Sequence, residues 1–333
     1  MNNLFVSSTR IGDAVLSTGS LAHLLECFPE VRITIACKPL PAPIFAHAPS
    51  VEGVVALHKR SFAEHRLGLW TEVVGIAWGL VVDLRGSALS WTLWAKKPRV
   101  FRWVDNTIHR VKSLGRFFAL YGPPAPRIWW SATEEAFAVK YIEDGSPVLA
   151  LGPTANWTAK IWRAERFAVL LGLLTGTDGI FSDARIAVFG AAGERNIVLL
   201  VLQAIPPEHC INQVGTVDIL TTAAYLNNCD LFVGNDSGLM YMAVATGTPH
   251  PRVVWAQRGS SLRFLGPALR RRRIRDPLCG AGCASRFRSP DNRIADEQPF
   301  RRPGRWRCRG SMAPHQTQII MAGIPHTISA LVA

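Results

Sequence analysis

The sequence predicts an α/β protein built from two similar halves, each a parallel sheet wrapped by helices, with the second half left incomplete. Three observations carry this. Short apolar runs alternate with amphipathic or turn-rich stretches over the first 249 residues, the alternation restarts near residue 145, and it fails after Pro249. In 333 residues, 48% of them hydrophobic and 18% charged, there is enough apolar material for two cores of ordinary domain size, so full disorder and a small disulfide-stapled scaffold are excluded.

In the first half, Leu4–Ser8, Arg32–Cys37, Val51–Leu57 and Leu80–Leu84 have the length and apolar content of strands, and Ser17–Cys27 and Ser61–Ala77 suit helices. After the turn at Asp144-Gly145-Ser146-Pro147, Val148–Gly152, Ile186–Gly190 and Leu231–Gly234 are expected strands, with helices over Glu165–Thr175 and Val217–Asn227. Strands alternating with such helices imply βαβ units. This divides the chain into residues 1–145, 146–249 and a remainder, 250–333. No G-x-G-x-x-G fingerprint occurs in either half, which argues against a dinucleotide site of the usual kind.

The net charge of +13 resides in that remainder. Residues 251–333 hold 16 Arg, no Lys and 4 acidic residues, whereas residues 1–250 are almost neutral at a net +1. With eight Pro, seven Gly and little periodicity before Ile319, the segment has nothing of a closing βα unit. Its clusters Arg271-Arg272-Arg273, Arg301-Arg302 and Arg305-Trp306-Arg307 raise a nucleic-acid-binding alternative, since arginines attract polyphosphates. The seven cysteines show no framework expected of an oxidising compartment. Those at 27, 37, 210 and 229 sit singly in apolar or strand-like contexts, and Cys279, Cys283, Cys308 and His315 match no common zinc spacing, so no metal or cofactor is expected. No apolar run approaches membrane-spanning length, and the first residues lack the features of a secretory signal; a cytoplasmic protein is expected, with peripheral docking on the inner membrane left open.

Four segments could carry chemistry, and each follows an expected strand, the edge where open α/β sheets bind ligands. The first is Thr9-Arg10-Ile11-Gly12-Asp13-Ala14, in which Gly12 permits close approach and Asp13 could accept a proton from a hydroxyl. Taken alone, Asp13 reads first as a helix cap. In Gly152–Trp162, Lys160 is either a point charge for a diphosphate or a solvated lysine. Phe189-Gly190-Ala191-Ala192-Gly193-Glu194 ends in a carboxylate suited to ribose hydroxyls, or in an ordinary acidic first-turn residue. The most informative is Leu231–Pro249, where a strand runs through Asn235-Asp236-Ser237-Gly238 into a helix, so that amides and the helix dipole face any anion above the strand end.

In this order, the four segments resemble glycosyltransferase family 9, the ADP-heptose:lipopolysaccharide heptosyltransferases, over about residues 1–249. The resemblance implies a GT-B fold of two Rossmann-like domains, the first taking the acceptor and the second the donor, and inverting transfer without a metal-binding Asp-x-Asp. Carried over by position, Asp13 becomes the general base beside an acceptor-side loop containing Arg10 and Gly12. Lys160 neutralises the leaving ADP, Glu194 holds the donor ribose, and Asp236, Ser237, Gly238 and Tyr241 build the diphosphate site. The implied partners are an ADP-sugar and a lipid-anchored oligosaccharide. Two positions depart from the family pattern: Tyr241 replaces a His and Arg163 a Pro, and the former keeps a noncatalytic nucleotide-sugar binder among the alternatives.

The largest departure is the remainder. Pro249–Arg258 admits the back-translation CCC CAC CCT CGG GTT GTT TGG GCC CAG CGC. With one C removed from the opening run it reads CCC ACC CTC GGG TTG TTT GGG CCC AGC, giving Pro-Thr-Leu-Gly-Leu-Phe-Gly-Pro-Ser, a strand with which the family continues. A reading-frame change near Thr248-Pro249 therefore accounts at once for the missing lysine, the lost periodicity and the hidden motif.

Overall fold

The computed structural model describes residues 2–56, 73–101, 108–142 and 145–249. The arginine-rich remainder, including the zinc-like Cys/His set, and most of the helix expected over Ser61–Ala77 lie outside the described residues.

Two parallel sheets are present. The first comprises β1 (Asn2–Val6), β2 (Arg32–Cys37), β3 (Val51–Ala56), β4 (Trp78–Asp83) and β5 (Ala95–Val100) in the order β3-β2-β1-β4-β5. The second comprises β6 (Val148–Gly152), β7 (Arg185–Val188), β8 (Cys210–Asn212) and β9 (Leu231–Gly234) in the order β8-β7-β6-β9. Leu4 stands between Thr34 and Val81, and Leu151 between Val188 and Val233, so the opening strand of each half is central in its sheet. Both sheets reverse their winding at that strand, which opens a crevice at the carboxyl ends. The second sheet repeats the first up to its fourth strand. Where β5 flanks β4 in the first sheet, Phe232 on β9 donates its N–H to the carbonyl of Pro249 at 2.7 Å, so the chain has begun to run beside β9 when the described residues end.

Seven α-helices are described: α1 (Ile11–Cys27), α2 (Arg110–Phe117), α3 (Ala132–Lys140), α4 (Ala164–Thr175), α5 (Arg195–Gln203), α6 (Ile219–Asn228) and α7 (Gly238–Thr246). Helix α1 starts six residues before the expected Ser17. Its Ser17-Thr18-Gly19-Ser20 run, which resembles loop composition, is fully buried, and the Ser17 and Thr18 hydroxyls donate to the carbonyls of Ala14 and Val15 at 2.7 and 2.6 Å. Edge strand β5 was hidden by Lys96-Lys97-Pro98, which is the composition that keeps an edge from pairing with another chain. Helix α5 was hidden by the apolar run Ile197–Leu202; only Val198 and Val201 of α5 are buried, while Leu200 is 59% exposed. Helix α3 begins on a capping box in which Ser131 and Glu134 bond reciprocally.

One apolar core runs through both halves. Phe5, Val15, Leu21, Ile35 and Val82 of the first are continuous with Ala150, Phe189, Tyr225, Phe232 and Met240 of the second. Helix α3 lies against α6, where Asn228 donates to Glu135 at 2.9 Å and the rings of Phe137 and Tyr141 approach Tyr225. Cys37 and Cys229 are buried free thiols, and burial raises both pKa values, Cys37 to about 12. Among the described residues no helix is long and apolar enough to cross a membrane.

At the end of β4, Asp83 is completely buried, and its carboxylate accepts the backbone N–H groups of Arg85, Gly86 and Ser87 and the hydroxyls of Ser87 and Ser90, at 2.6–3.1 Å. One side chain thus shapes the whole β4 loop. Asp83→Asn replaces one acceptor oxygen with an amide donor facing those five donors, and it should lower stability by about 1–3 kcal/mol in urea denaturation. An unchanged midpoint would show that the loop is held by something else.

Candidate active site

The crevice is formed by helix and loop starts at the carboxyl ends of β1, β6, β7 and β9. Across it the first turns of α1 and α7 touch. A Cβ on Gly12 would lie 2.7 Å from Cδ2 of Tyr241, and one on Gly238 would lie 2.9 Å from Cγ2 of Ile11, so a side chain at either glycine would force the facing Tyr241 ring or Ile11 side chain to move.

On the first half, Arg10 is the N-cap of α1 in extended conformation and makes no side-chain cap. Asp13 sits in the first turn, two residues inside the helix start, and is exposed. The N-cap position belongs to Arg10, and Asp13 is an acidic residue of the first turn. Arg110, which donates to the Leu84 carbonyl at 3.0 Å and covers the Phe101 ring at 4.5 Å, lies within electrostatic reach of Asp13. Burial lowers the guanidinium pKa, and the Asp13 carboxylate opposes that shift. Nothing in the sequence pattern marks Arg110, because twenty-six residues part it from β4.

On the second half, the lysine segment and the β9–α7 loop come together. Lys160 Nζ contacts Asp236 Oδ2 at 2.6 Å, with both side chains partly shielded. The lysine is therefore not the solvated one that its sequence context allowed. The Tyr241 hydroxyl also hydrogen-bonds Asp236, so one carboxylate carries both. Ser237 is the N-cap of α7 by conformation, but its hydroxyl caps nothing: it is shielded from solvent and has no hydrogen-bond partner among the described residues. Beside it the first-turn amides of α7 have no intrahelical acceptor, and they carry the positive end of the helix dipole. The site thus offers a cation, an idle hydroxyl and a helix start in one place.

Glu194 sits at the end of the adjacent β7 loop and bends back, accepting the Ala191 N–H through Oε2 at 2.8 Å. This is the ordinary first-turn role for that oxygen; Oε1 makes no hydrogen bond among the described residues. The loop is braced by Gly215, whose N–H donates to the Gly190 carbonyl at 2.9 Å and whose φ of +70° only glycine adopts easily. Sequence reasoning missed Gly215, and also Asn235, which is almost wholly buried between the lysine segment and Asp236.

Burial is the largest cause raising the Tyr241 pKa, followed by the Asp236 and Asp13 carboxylates and the hydrogen bond to Asp236. Its phenol stays protonated in the folded chain, whereas an unfolded tyrosine ionises near pH ~10. The resulting stability is present below that pH and is lost as pH rises above it. Tyr225, also raised by burial, acts in the same sense. Tyr241→Phe should make urea midpoints fall less steeply between pH about 9 and 11 than in the parent. An identical slope would contradict the buried, carboxylate-facing phenol.

Residues 92–250 match the family model described as glycosyltransferase family 9 (heptosyltransferase). Lipooligosaccharide heptosyltransferase 2 of Haemophilus influenzae is 31% identical over 107 residues, covering 31% of this chain and 30% of that protein. The Haemophilus ducreyi protein of the same name is 30% identical over 126 residues, covering 36% and 35% respectively. The chain thus matches about a third of the length of these curated relatives. Among solved structures, a glycosyl transferase family 9 protein from Veillonella parvula superposes with a TM-score of 0.63 at 17% identity, over 75% of this chain and 79% of that one. The ADP-heptose lps heptosyltransferase II of E. coli superposes with a TM-score of 0.57 at 18% identity, over 75% and 83%. These similarities extend the α/β, two-sheet architecture to the GT-B fold, and the stretch that matches the glycosyltransferase family 9 model is residues 92–250, a little under half of the chain.

Proposed function

We propose that the chain derives from an enzyme that transfers heptose from ADP-heptose to a lipopolysaccharide core acceptor, inverting the anomeric centre. The observation that carries this is the Lys160–Asp236 pair beside the Ser237 hydroxyl and the start of α7, with Asp13 of the other half close enough that Tyr241 feels both carboxylates. A diphosphate is a guest that matches a lysine, an unpaired hydroxyl and a helix start. In the reaction the acceptor hydroxyl passes its proton to Asp13 as its oxygen bonds to the anomeric carbon, and the bond from that carbon to the diphosphate oxygen breaks. The developing negative charge falls to Lys160, which the incoming diphosphate draws from Asp236, and to the α7 amides. Oε1 of Glu194 is available for a ribose hydroxyl, and Arg10 borders the acceptor side. The exposure of Asp13 suits a base that must meet an acceptor brought from outside, and a lipid-anchored oligosaccharide at the inner face of the membrane fits that demand.

The domain limits 1–145 and 146–249 belong to this proposal, as does a reading-frame change near Thr248-Pro249. The latter is supported by the Phe232–Pro249 hydrogen bond, because the position it begins is that of a fifth strand beside β9. The arginine-rich remainder would then be a translation product without a role in transfer. Binding of nucleic acid by it is the alternative.

Calorimetry with ADP should show binding that Lys160→Ala weakens about tenfold or more, the worth of one charge-assisted hydrogen bond. ADP binding that ignores Lys160 would refute the donor site. In the protein whose frame is restored by deleting one nucleotide near codon 249, sugar transfer should exceed that of the written chain, and Asp13→Asn should reduce it by about 10² to 10⁴-fold at an unchanged melting temperature. Equal transfer by the written and restored chains would remove the frame argument. ADP binding with no transfer by the restored protein would leave a nucleotide-sugar binder, and salt-dependent retention on RNA lost with residues 250–333 would favour the nucleic-acid reading.

A further inference from the structure

We infer that Asn235 is a positioning residue that sets Lys160 against Asp236, a role distinct from capping or packing. Asn235 is 4% exposed and comes immediately before Asp236 at the end of β9. Its Nδ2 donates to the Pro153 carbonyl at 2.7 Å, its Oδ1 accepts the Trp162 N–H at 3.0 Å, and its own N–H donates to the Gly152 carbonyl at 3.0 Å. These three bonds hold the two ends of the segment 152–162, which carries Lys160 in a short 3₁₀ turn at Thr158–Lys160. A carbonyl only accepts and an amide N–H only donates, so the position demands a side chain that does both at once without charge. A carboxylate cannot donate to Pro153, and a hydroxyl is too short to reach both partners. Because Asn235 and Asp236 are consecutive, the residue that fixes the lysine segment also fixes the carboxylate it meets. The Lys160–Asp236 distance is thus set by two adjacent backbone positions, although 76 residues separate the pair in sequence.

This inference rests on the proposed diphosphate site only for its purpose; the placement of Lys160 is testable without any nucleotide. Limited acetylation of the full chain, read by peptide mass spectrometry, reports how far the Lys160 amine is shielded. Asn235→Ala should raise the acetylation rate of Lys160 about fivefold or more, as expected when a charge-assisted hydrogen bond is lost, and should leave Lys38 and Lys140 unchanged. Asp236→Asn should raise it to a similar rate, and the double variant should be no faster than the faster single one, because both changes release the same contact. ADP binding, measured in parallel, should show the same non-additivity between Asn235→Ala and Lys160→Ala.

Unchanged Lys160 labelling in a folded Asn235→Ala protein would overturn the inference, as would fully additive effects. Asn235→Asp provides the second variant: it retains an acceptor for Trp162 while losing the donor to Pro153, and should label at a rate between parent and alanine. A chain that unfolds with either substitution at 235 would also overturn it, since the residue would then serve the fold as a whole. Should the parent fail to bind ADP while the labelling pattern holds, the diphosphate reading fails and the positioning role stands.

Discussion

Much of the structure depends on the contact between the starts of two helices from opposite halves. Gly12 in the first turn of α1 lies under the ring of Tyr241, and Gly238 in the first turn of α7 lies against Ile11. Helix starts are rich in unpaired N–H groups, and two of them meet closely only where side chains are absent at the point of contact. Since each of these helices follows a strand at a carboxyl edge, the contact turns both ligand-facing edges toward one crevice. It also allows a single apolar core to run from Phe5 to Met240.

Around this contact, charge is arranged asymmetrically. The second half keeps Lys160 and Asp236 as a shielded pair with the Tyr241 hydroxyl on the same carboxylate. The first half leaves Asp13 exposed, with Arg110 in reach. Tyr241 feels both carboxylates and is held protonated between them. The crevice thus holds at this point a neutral phenol that donates a hydrogen bond to Asp236 and does not change charge near neutral pH.

The loops at the strand ends are held by single polar side chains rather than by apolar packing. Asp83 gathers five donors at the end of β4, Asn235 ties the lysine segment to β9, and Glu194 closes its own turn. Each is a local solution to the same problem: a loop bordering a crevice cannot be buried in apolar side chains, so its backbone groups need polar partners.

Strands such as β1, β2, β6, β7 and β9 were legible in the sequence, because they are short apolar runs bounded by turn residues, and so were the four segments at the ends of β1, β6, β7 and β9. Elements whose residues contradict local preference were not: the Lys-Lys-Pro of β5, the three residues of β8 and the apolar face that α5 exposes. The change of composition after Pro249 was also visible in the sequence alone, since it concerns charge and periodicity rather than contact. Which candidate residues meet was decided by the tertiary structure. Lys160 and Asp236 are 76 positions apart, Arg110 and Asp13 lie on different elements, and Asn235 looks in sequence like any polar residue before a helix. Local sequence sets which face a strand buries and where a helix can start. Distances between loops follow from strand order, because only the pairing of β6 with β9 brings the ends of those strands side by side.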